Sequence, residues 1–475
     1  MLTSTDTHKH VVIIGGGITG LSAAWYLGRQ QAANPLAITV LEQAGRWGGK
    51  VITERVEAPN GQLFIIDAGP ESFVTRKPEL WNLALELGLR DRIVDPGSET
   101  RHMYVLDGGK PVAVPLSPVA FIRSPLMSAR GKLRLLAEPF APLKKGDEDE
   151  SLAEFVSRRL GREALDKFIG PILSGIYNTD PEKQSILTTS PVMREMEKEY
   201  GGLFKGALGR MRARRRAVAS GQTLPPQFIT FANGAQDVVE EMVKRLNVDL
   251  RLNTRVERID CADDQFEIVL PGGEHLLADA VILATPANVT AGLLRRAAPE
   301  AAAELGRIRH ENIGTISLMF RDDDARTKFK INGLMIPRRE RRAIDAITFT
   351  SAKMPGRAPE GHTLLRIFFG GGQPETAELD DSALLGIVRR ELKELLGIEG
   401  KPLDHRAFRW PKSFPQADVG HLKRVEAIEA KLPPGLYIAG SSYRGIGVPD
   451  CVRQGQEAAA KVVELISNRV PARQI

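Results

Sequence analysis

Glycines near the N-terminus are spaced in a pattern that binds phosphates. Gly15, Gly17 and Gly20 form a GxGxxG series after an apolar run, and a helix is predicted from about Gly17 to Leu27. The first glycine permits a tight turn, the second lets a pyrophosphate approach the backbone, and the third lets the helix pack on the strand. The helix N-terminus adds free N–H groups and a positive dipole end. We therefore predict a dinucleotide diphosphate site made of Gly15, Gly16, Gly17, Ile18, Thr19 and Gly20.

An acidic residue follows at the distance expected for ribose recognition. A second β run, LAITVLE, ends at Glu42, which lies 22 residues after Gly20. A carboxylate at this place accepts hydrogen bonds from free ribose hydroxyls and favours FAD or NAD over NADP. We assign Glu42 and the adjacent Gln43 to the cofactor site.

A second glycine pair favours FAD over NAD as the cofactor. Gly48 and Gly49 begin six residues after Glu42, with Arg46 and Lys50 on either side. Such a pair lets the backbone wrap the same dinucleotide, and NAD dehydrogenases normally lack it. The extended pattern resembles the FAD-binding fold of the amine oxidase and desaturase superfamily. We therefore predict FAD, with Gly49 and Lys50 among its contacts.

The composition is that of an ordinary globular protein. Of the 475 residues, 42% are hydrophobic and 26% charged, and the net charge is +6. The two cysteines suit a reducing compartment, and eight scattered histidines form no metal-ligand pattern. The uncharged run 11–28 is interrupted by glycines and lacks the flanks of a signal or spanning segment. We expect a cytoplasmic protein, at most peripheral to a membrane, with no metal and no nucleic-acid partner.

Further elements position these motifs. SLAEFVSRRLGREALDKFI predicts a helix with a capping box from Ser151 to Glu154, and VDLRLNTRVERI predicts one β run centred on Val256. FEIVLPGGEHLLADAVILATPA predicts a hairpin that turns at Gly272 and Gly273. IGTISLMF, AIDAITFT and TLLRIFFG predict a second sheet, which we interpret as the substrate platform.

Segments spread over nearly the whole chain resemble the bacterial oxygen-dependent porphyrinogen oxidase family. That family comprises the coproporphyrinogen III oxidases of the coproporphyrin-dependent heme pathway and the related protoporphyrinogen oxidases. The segments are VVIIGGGITGLSAA, GGKVITE, DAGPESFVTRKPEL, GPILSGIYNTDPEKQSI, KMPGRAPEGHTLLR, RWPKSFPQADVGH and GLYIAGSSYRGIGVPDCVRQG. The chain departs from the common family pattern at Phe368, Ala417 and the pair Asn178 and Thr179, which bears on contacts in the substrate pocket.

The resemblance implies an α/β fold with three parts. These are a Rossmann-type FAD-binding domain like that of glutathione reductase and the amine oxidases, a mixed-sheet substrate domain, and a helical insertion. The predicted boundaries are 1–95, 225–300 and 405–475 for the FAD-binding domain, 100–222 for the largely helical domain and 301–404 for the substrate domain.

The family reaction removes six electrons from a porphyrinogen in three two-electron steps. FAD takes each pair, and dioxygen reoxidises it to give hydrogen peroxide. The cofactor carries this chemistry, so no catalytic side chain is assigned.

The resemblance also adds cofactor positions. DAGPES is expected to pass near the ribityl chain and the flavin ring, the strand at Val256 near adenine, and Trp410 beside the flavin. Family members hold FAD noncovalently, so we interpret Cys451 as a buried structural thiol. The added residues are Gly69, Pro70, Glu71, Ser72, Val256 and Trp410.

A second glycine-rich loop, from Gly440 to Gly455, follows the β run LYIA and opens a helix predicted from about Pro449 to Ile466. The first loop already holds the phosphates, so the target of the second is the flavin end of the same FAD. Its backbone N–H groups would face N1 and O2, where a helix dipole stabilises the charge of the reduced ring by roughly 0.3–2 kcal/mol. The predicted contacts are Gly440, Ile446, Gly447 and Val448.

Coproporphyrinogen III is the favoured substrate because it carries four propionates and the chain is basic. GGKVITE and ESFVTRKP also resemble the Gram-positive branch of the family. The candidate propionate partners are Arg76, Lys77, Arg101, His102 and Lys353. The residues assigned to the substrate site are Lys77, Arg101, Tyr177, Lys353 and Phe368.

Other interpretations stay open. The chain could instead oxidise protoporphyrinogen IX, act as another flavin amine oxidase or lipid desaturase, or carry flavin and porphyrin without catalysis. Transient contact with a ferrochelatase or a membrane surface is one further hypothesis, and the oligomeric state is left open. The basic run from Arg210 to Arg216 fits a solvent-exposed helix end or mobile loop, a docking surface for an anionic membrane or a partner, or a basic funnel for an acidic substrate.

Overall fold

The computed structural model describes residues 9–30, 36–96, 102–115, 117–177, 179–222 and 224–469. Arg101 and Asn178 lie outside these residues, as do the side chain of Tyr177 and the chain termini. The strands are β1 (Lys9–Ile14), β2 (Leu36–Leu41), β3 (Thr53–Glu57), β4 (Leu63–Asp67), β5 (Phe73–Val74), β6 (Ile93–Val94), β7 (Met103–Asp107), β8 (Lys110–Ala113), β9 (Phe228–Phe231), β10 (Asp249–Arg251), β11 (Arg258–Ala262), β12 (Gln265–Val269), β13 (His275–Ala278), β14 (Ala280–Leu283), β15 (His310–Arg321), β16 (Gly333–Met335), β17 (Ile344–Phe349), β18 (His362–Phe369), β19 (Asp404–Pro415) and β20 (Leu436–Ile438).

The described chain also forms α-helices. They are α1 (Ile18–Gly28), α2 (Glu79–Glu86), α3 (Pro118–Arg123), α4 (Ala129–Leu136), α5 (Leu152–Arg159), α6 (Arg162–Ala164), α7 (Gly170–Tyr177), α8 (Ile186–Thr189), α9 (Pro191–Tyr200), α10 (Leu203–Ala219), α11 (Asp237–Arg245), α12 (Ala287–Leu293), α13 (Pro299–Leu305), α14 (Thr350–Lys353), α15 (Asp381–Leu396), α16 (His421–Glu429) and α17 (Val448–Arg469).

A parallel sheet in the order β10-β2-β1-β14-β20 forms the first core. Strands β1, β2, β14 and β20 are largely apolar because both faces of the sheet are covered. Helices α1 and α17 cover one face, and the antiparallel strands β11, β12 and β13 cover the other together with α12 and α13. Three residues of β1, Val11 to Ile13, are fully buried. The sheet collects strands from the N-terminal, central and C-terminal parts of the chain, as in a Rossmann-type fold. The α/β prediction is confirmed, whereas the domain boundaries stay a prediction.

The prediction of one continuous strand centred on Val256 is wrong. The chain leaves the parallel sheet after β10 and starts a separate three-stranded sheet at β11. Asn253 adopts a left-handed backbone conformation, with φ of 54°, and this ends the first strand. The hairpin that follows, β12 and β13 with its turn at Gly272 and Gly273, is confirmed.

A seven-stranded sheet in the order β19-β15-β18-β17-β16-β7-β8 forms the second core. The three predicted strand segments correspond to β15, β17 and β18. One face packs on α15 through apolar residues such as Ile316, Leu365 and Leu392. Two strands from the stretch expected to be largely helical, β7 and β8, extend this sheet at one edge, and β19 closes the other.

Helices α3 to α10 form the third part of the chain. The capping box of Ser151 and Glu154 at the start of α5 is confirmed. The predicted continuation of that helix is interrupted at Gly161, whose φ is 95°. The basic run from Arg210 to Arg216 lies within α10 and not in a loop.

Candidate cofactor site

The first glycine loop joins β1 to α1. A Cβ on Gly15, whose φ is 110°, would lie 2.8 Å from the Ala284 carbonyl oxygen, and one on Gly20 would lie 2.0 Å from the Gly15 oxygen. The packing of the protein itself therefore requires both glycines. A Cβ on Gly17 would meet only the Gly49 Cα, at 3.9 Å. Gly17 thus borders open space at the N-terminus of α1, which fits a group that lies against the backbone.

The predicted ribose acid and the second glycine pair both border this loop. The carboxylate oxygens of Glu42 accept the N–H groups of Gly16 at 2.7 Å and Ala44 at 2.8 Å. A carboxylate has capacity for further hydrogen bonds, so ribose binding stays available. The Gly48 N–H donates to the Gly16 oxygen at 2.8 Å. Gly49 is close enough to Gly17 that its Cβ would lie 3.2 Å from the Gly17 Cα.

Two other predicted adenosine-side residues are placed nearby along the chain. Gln43 directly follows Glu42, and its side chain is exposed. The Thr254 N–H donates to the Glu42 carbonyl oxygen at 2.8 Å, and this bond brings the segment of Val256 next to Glu42. Val256 itself is buried.

The second glycine loop lies beside the first. Cys451 shares a side-chain hydrogen bond with Thr19, and a Cβ on Gly455 would lie 3.0 Å from the Ala23 nitrogen. Thr19 and Ala23 are four positions apart on α1, and Cys451 and Gly455 are four positions apart on α17. The earlier residues of the two helices contact each other, and so do the later ones. Helices α1 and α17 therefore run parallel and begin at the same end. A Cβ on Gly440 would lie 3.7 Å from the Thr19 Oγ1. Ile446, Gly447 and Val448, which open α17, are therefore brought to the end of the fold where α1 begins.

Buried polar side chains hold the second loop in place. Ser442 Oγ accepts the Ala287 N–H at 3.1 Å and is 3.2 Å from His310 Nε2. The other ring nitrogen of His310 is 2.9 Å from the Ile308 oxygen, so Nδ1 carries the proton and Nε2 accepts from Ser442. Burial lowers the pKa of His310, in keeping with the neutral form. His421 Nε2 donates to the Tyr443 oxygen at 2.8 Å.

Sequence reasoning missed this network. Ser442 lies 155 residues from Ala287 and 132 residues from His310. No spacing rule links a serine and a histidine so far apart. The only available signal was the position of Ser442 inside a glycine-rich loop.

The segment of Gly69, Pro70, Glu71 and Ser72 is fastened to the second sheet. The Thr315 hydroxyl and the Arg366 guanidinium both donate to the Ala68 oxygen, at 2.9 and 2.8 Å. Glu71 pairs with Lys353 at 2.7 Å and with Arg366 at 3.1 Å. Burial alone would raise the pKa of Glu71, but the two cations outweigh it and lower the pKa to about 2. The Glu71 carboxylate is therefore occupied by these two ion pairs, which anchor the segment 69–72 between the two cores.

Two of the predicted propionate partners lie near the site, but each of them forms an ion pair with a carboxylate of the protein. Lys353 is held by Glu71, and Lys77 contacts both carboxylate oxygens of Asp450, at 2.6 and 2.7 Å. Asp450 lies in the first turn of α17, so Lys77 ties the segment after Ser72 to the second glycine loop. Arg101 and the Tyr177 side chain lie outside the described residues.

Aromatic residues lie on the strands next to this anchor. Phe368 is half-buried on β18, with the Arg366 guanidinium 4.6 Å from its ring centroid. Trp410 stacks on Phe408 at 6.2 Å on β19. The Lys50 ammonium donates to the Ser413 oxygen, three residues beyond Trp410, and so links β19 to the second glycine pair. Burial lowers the pKa of Lys50 to about 8.

Cys451 is a buried free thiol, as predicted. Burial raises its pKa to about 11, which keeps it protonated at neutral pH. Within the described ranges, no group of three potential metal-ligating side chains is present. Across the same residues, every helix is too short or too polar to cross a lipid bilayer.

Nearly the whole chain is similar to known flavoproteins. The family described as flavin containing amine oxidoreductase matches residues 18–463. A coproporphyrinogen III oxidase of Bacillus subtilis (strain 168) is 33% identical over 96% of this chain and 98% of its own length. One from Staphylococcus aureus is also 33% identical, over 96% and 99%.

A solved structure gives the same result at the level of the fold. It comes from Exiguobacterium sp. 255-15 and is assigned as a protoporphyrinogen oxidase. It is 28% identical in sequence, covers 97% of this chain and 99% of its own, and superposes with a TM-score of 0.83. The chain therefore belongs to the flavin-containing amine oxidoreductase family, in the group that includes the coproporphyrinogen III oxidases.

Proposed function

We propose that this protein binds FAD noncovalently and oxidises coproporphyrinogen III to coproporphyrin III, with dioxygen as the final oxidant and hydrogen peroxide as the by-product. The arrangement of α1 and α17 carries the cofactor assignment: their first residues are 430 positions apart, yet the helices begin side by side near the open space at Gly17. The substrate assignment rests on the relatives that are named coproporphyrinogen III oxidase. A net charge of +6 suits a substrate with four carboxylates.

The residues at the site have distinct proposed tasks. The backbone at Gly17 and the N–H groups at the start of α1 would hold the diphosphate, and Glu42 would accept the ribose hydroxyls. The N–H groups of Gly447 and Val448 would stabilise negative charge at the flavin end. When bound, the flavin supplies the two-electron oxidation chemistry, which the protein side chains cannot provide.

The face of the second sheet that carries Phe368 would orient the substrate. Lys77 and Lys353 are each neutralised by a carboxylate, so we assign them to holding the site together and not to binding propionates directly. Arg76 is exposed beside Lys77 and is the better candidate for a propionate contact. His102 stays a candidate, and its backbone N–H is held by Asn332 at 2.8 Å.

One experiment tests the function against its alternatives. The purified yellow protein is given coproporphyrinogen III, protoporphyrinogen IX or a set of amines, each separately under air. Porphyrin fluorescence and hydrogen peroxide are followed in each reaction. We expect both signals with coproporphyrinogen III, and a smaller or absent signal with protoporphyrinogen IX.

Each other outcome has a defined meaning. Preference for protoporphyrinogen IX would overturn the substrate assignment, and turnover of amines alone would make the protein an amine oxidase. Bound flavin without any oxidation would favour a carrier of flavin and porphyrin. Extraction of the cofactor by acid and its mass would check FAD and the noncovalent link, and fractionation of cells would check the proposed cytoplasmic location.

A further inference from the structure

A buried amide, that of Gln454, lies inside the second glycine loop. Its Oε1 accepts the N–H groups of Gly440 and Arg444, both at 3.3 Å. Its Nε2 donates to the carbonyl oxygens of Gly445 at 3.4 Å and Asp450 at 3.2 Å. A side-chain amide has one oxygen with two acceptor sites and one nitrogen with two donors. Gln454 therefore spends its whole hydrogen-bonding capacity on the backbone of this loop.

The four partners of this amide lie at separate points of the loop. Gly440 follows the end of β20, Arg444 and Gly445 form the turn, and Asp450 lies in the first turn of α17. Gln454 itself lies on α17, one helical turn after Asp450. One side chain therefore ties the end of the strand, the turn and the start of the helix to one another.

The backbone of the loop gains from such a tie because it is rich in glycine. Gly440 and Gly445 have φ of 131° and 112°, in the region that favours glycine. Glycine loses more conformational freedom on folding than any other residue, so its segments are costly to order. Within the loop, the Tyr443 N–H donates to the Gly440 oxygen at 3.1 Å, and the Cys451 N–H donates to the Gly447 oxygen at 2.9 Å. The amide of Gln454 joins these two halves.

The tie bears on the N–H groups assigned above to the flavin end. Gly447 and Val448 lie between two of the tied points, Gly445 and Asp450. A backbone N–H stabilises developing charge best when it is already aimed before the charge appears. Fixing the chain on both sides of Gly447 and Val448 supplies this order in advance.

We propose that Gln454 is a positioning residue that aims the N–H groups of Gly447 and Val448, so that the protein binds reduced flavin more tightly relative to oxidised flavin. The inference rests on the proposed binding of FAD. Gln454 is uncharged and acts only through the backbone that it holds. A side chain that merely supported folding would change the affinity for both forms of the flavin equally. The ratio of the two affinities, which is the shift of the flavin midpoint potential on binding, distinguishes the two roles.

Two variants and one matched control test the proposal. Gln454→Met keeps the length of the side chain and removes all four hydrogen bonds. Gln454→Asn keeps the amide but is one methylene shorter, so its bonds to the loop should be strained or lost in part. The control is Gln184→Met, because Gln184 is fully buried and, across the described residues, neither of its amide atoms has a hydrogen-bond partner. The same chemical change is thus made at a buried glutamine that holds no loop.

The measurements need the flavin but no organic substrate. Affinity for oxidised FAD is measured by titration of each apoprotein, and the midpoint potential of each reconstituted protein is measured without oxygen against a dye of known potential. We expect Gln454→Met to lose about tenfold in its preference for reduced flavin, within the range of a helix N-terminus acting on an anion. For a two-electron couple this loss lowers the potential by about 30 mV. Gln454→Asn should lie between Gln454→Met and wild type, and Gln184→Met should match wild type.

The possible results separate this inference from the proposed function. If Gln454→Met binds FAD more weakly but keeps the wild-type potential, Gln454 is only structural and the proposal is overturned. A shift of equal size in Gln184→Met would also contradict it. Wild-type apoprotein that binds no FAD would overturn the proposed function itself. If Gln454→Met retains too little flavin for a potential, Gln454→Asn decides, and a wild-type potential there refutes the proposal.

Discussion

Replacing Gly455 by alanine should separate the two helices that form the cofactor site. A Cβ at this position would lie 2.5 Å from the Thr19 oxygen, 3.0 Å from the Ala23 nitrogen and 3.0 Å from the Ser22 Cβ. Backbone atoms cannot turn away as a flexible side chain can, so α17 must move outward from α1 by several tenths of an ångström. Overpacking by one methyl group costs about 1–3 kcal/mol. The N-terminus of α17 would shift with its helix, and flavin binding should weaken.

A glycine in open space provides the matched control. Gly386 lies inside α15, and a Cβ there would meet nothing within 4 Å. Gly386→Ala should therefore stabilise the protein by roughly 0.5–1 kcal/mol through the lower flexibility of alanine in the unfolded chain. Both substitutions make the same chemical change in a helix interior. The difference between the two variants then isolates the steric cost at Gly455.

The assay combines stability with cofactor content. The free energy of unfolding is measured in denaturant on the apoprotein, and flavin affinity is measured by titration of the apoprotein with FAD. We expect Gly455→Ala to be less stable than Gly386→Ala by about 1–3 kcal/mol and to bind FAD more weakly, whereas Gly386→Ala binds it normally. Equal stability and equal FAD affinity in the two variants would refute the close packing of α1 on α17 as the basis of the site.

Three further predictions concern single residues. Gly17→Val should give a folded apoprotein with near-normal stability that is colourless, because the added atoms enter open space reserved for the diphosphate; stoichiometric FAD in this variant would mean that the diphosphate lies elsewhere. Glu71→Gln should lower the free energy of unfolding at pH 7 by about 3 kcal/mol, because the pKa of Glu71 is lowered to about 2. This contribution is complete above the unfolded pKa of about 4.5 and disappears as the pH falls toward 2, so denaturation curves of wild type and variant should converge in acid. Because the pKa of His310 is lowered in the folded state, the unfolded state binds the proton more readily, and the free energy of unfolding should fall as the pH drops below 6.5. In His310→Gln this pH dependence of the free energy of unfolding should be weaker. An unchanged slope against pH would contradict a neutral His310.

Local features were predictable because neighbouring residues determine them. The turn and helix at Gly15 to Gly20, the hairpin at Gly272 and Gly273 and the capping box at Ser151 each depend on groups a few positions apart. The predicted strand through Val256 failed for a local reason of another kind. Asparagine tolerates a left-handed backbone, and whether Asn253 adopts it depends on the hydrogen bonds from Asn253 and Thr254 to the chain around Glu42.

Pairing between distant charges was beyond sequence reasoning. Lys77 and Lys353 were expected to meet the substrate, but their partners, Asp450 and Glu71, lie 373 and 282 residues away. A lysine that is free and a lysine that is paired have the same local sequence pattern. The exposure of Phe204, Leu208 and Met211 on α10 was equally hidden, because periodicity predicts an apolar face but not whether that face points inward.

The sequence by itself determined the dinucleotide motif, the family and the regular elements around the two glycine loops, because these depend on short-range spacing of glycines, acids and apolar residues. The sequence analysis predicted that both glycine loops act on one FAD, but only the tertiary structure decided how they are held together, since this depends on the parallel packing of α1 on α17 at Gly455. It also decided which cations are neutralised near the site and which remain exposed on α10. Such facts depend on long-range contacts between segments that are hundreds of residues apart, and no local pattern encodes them.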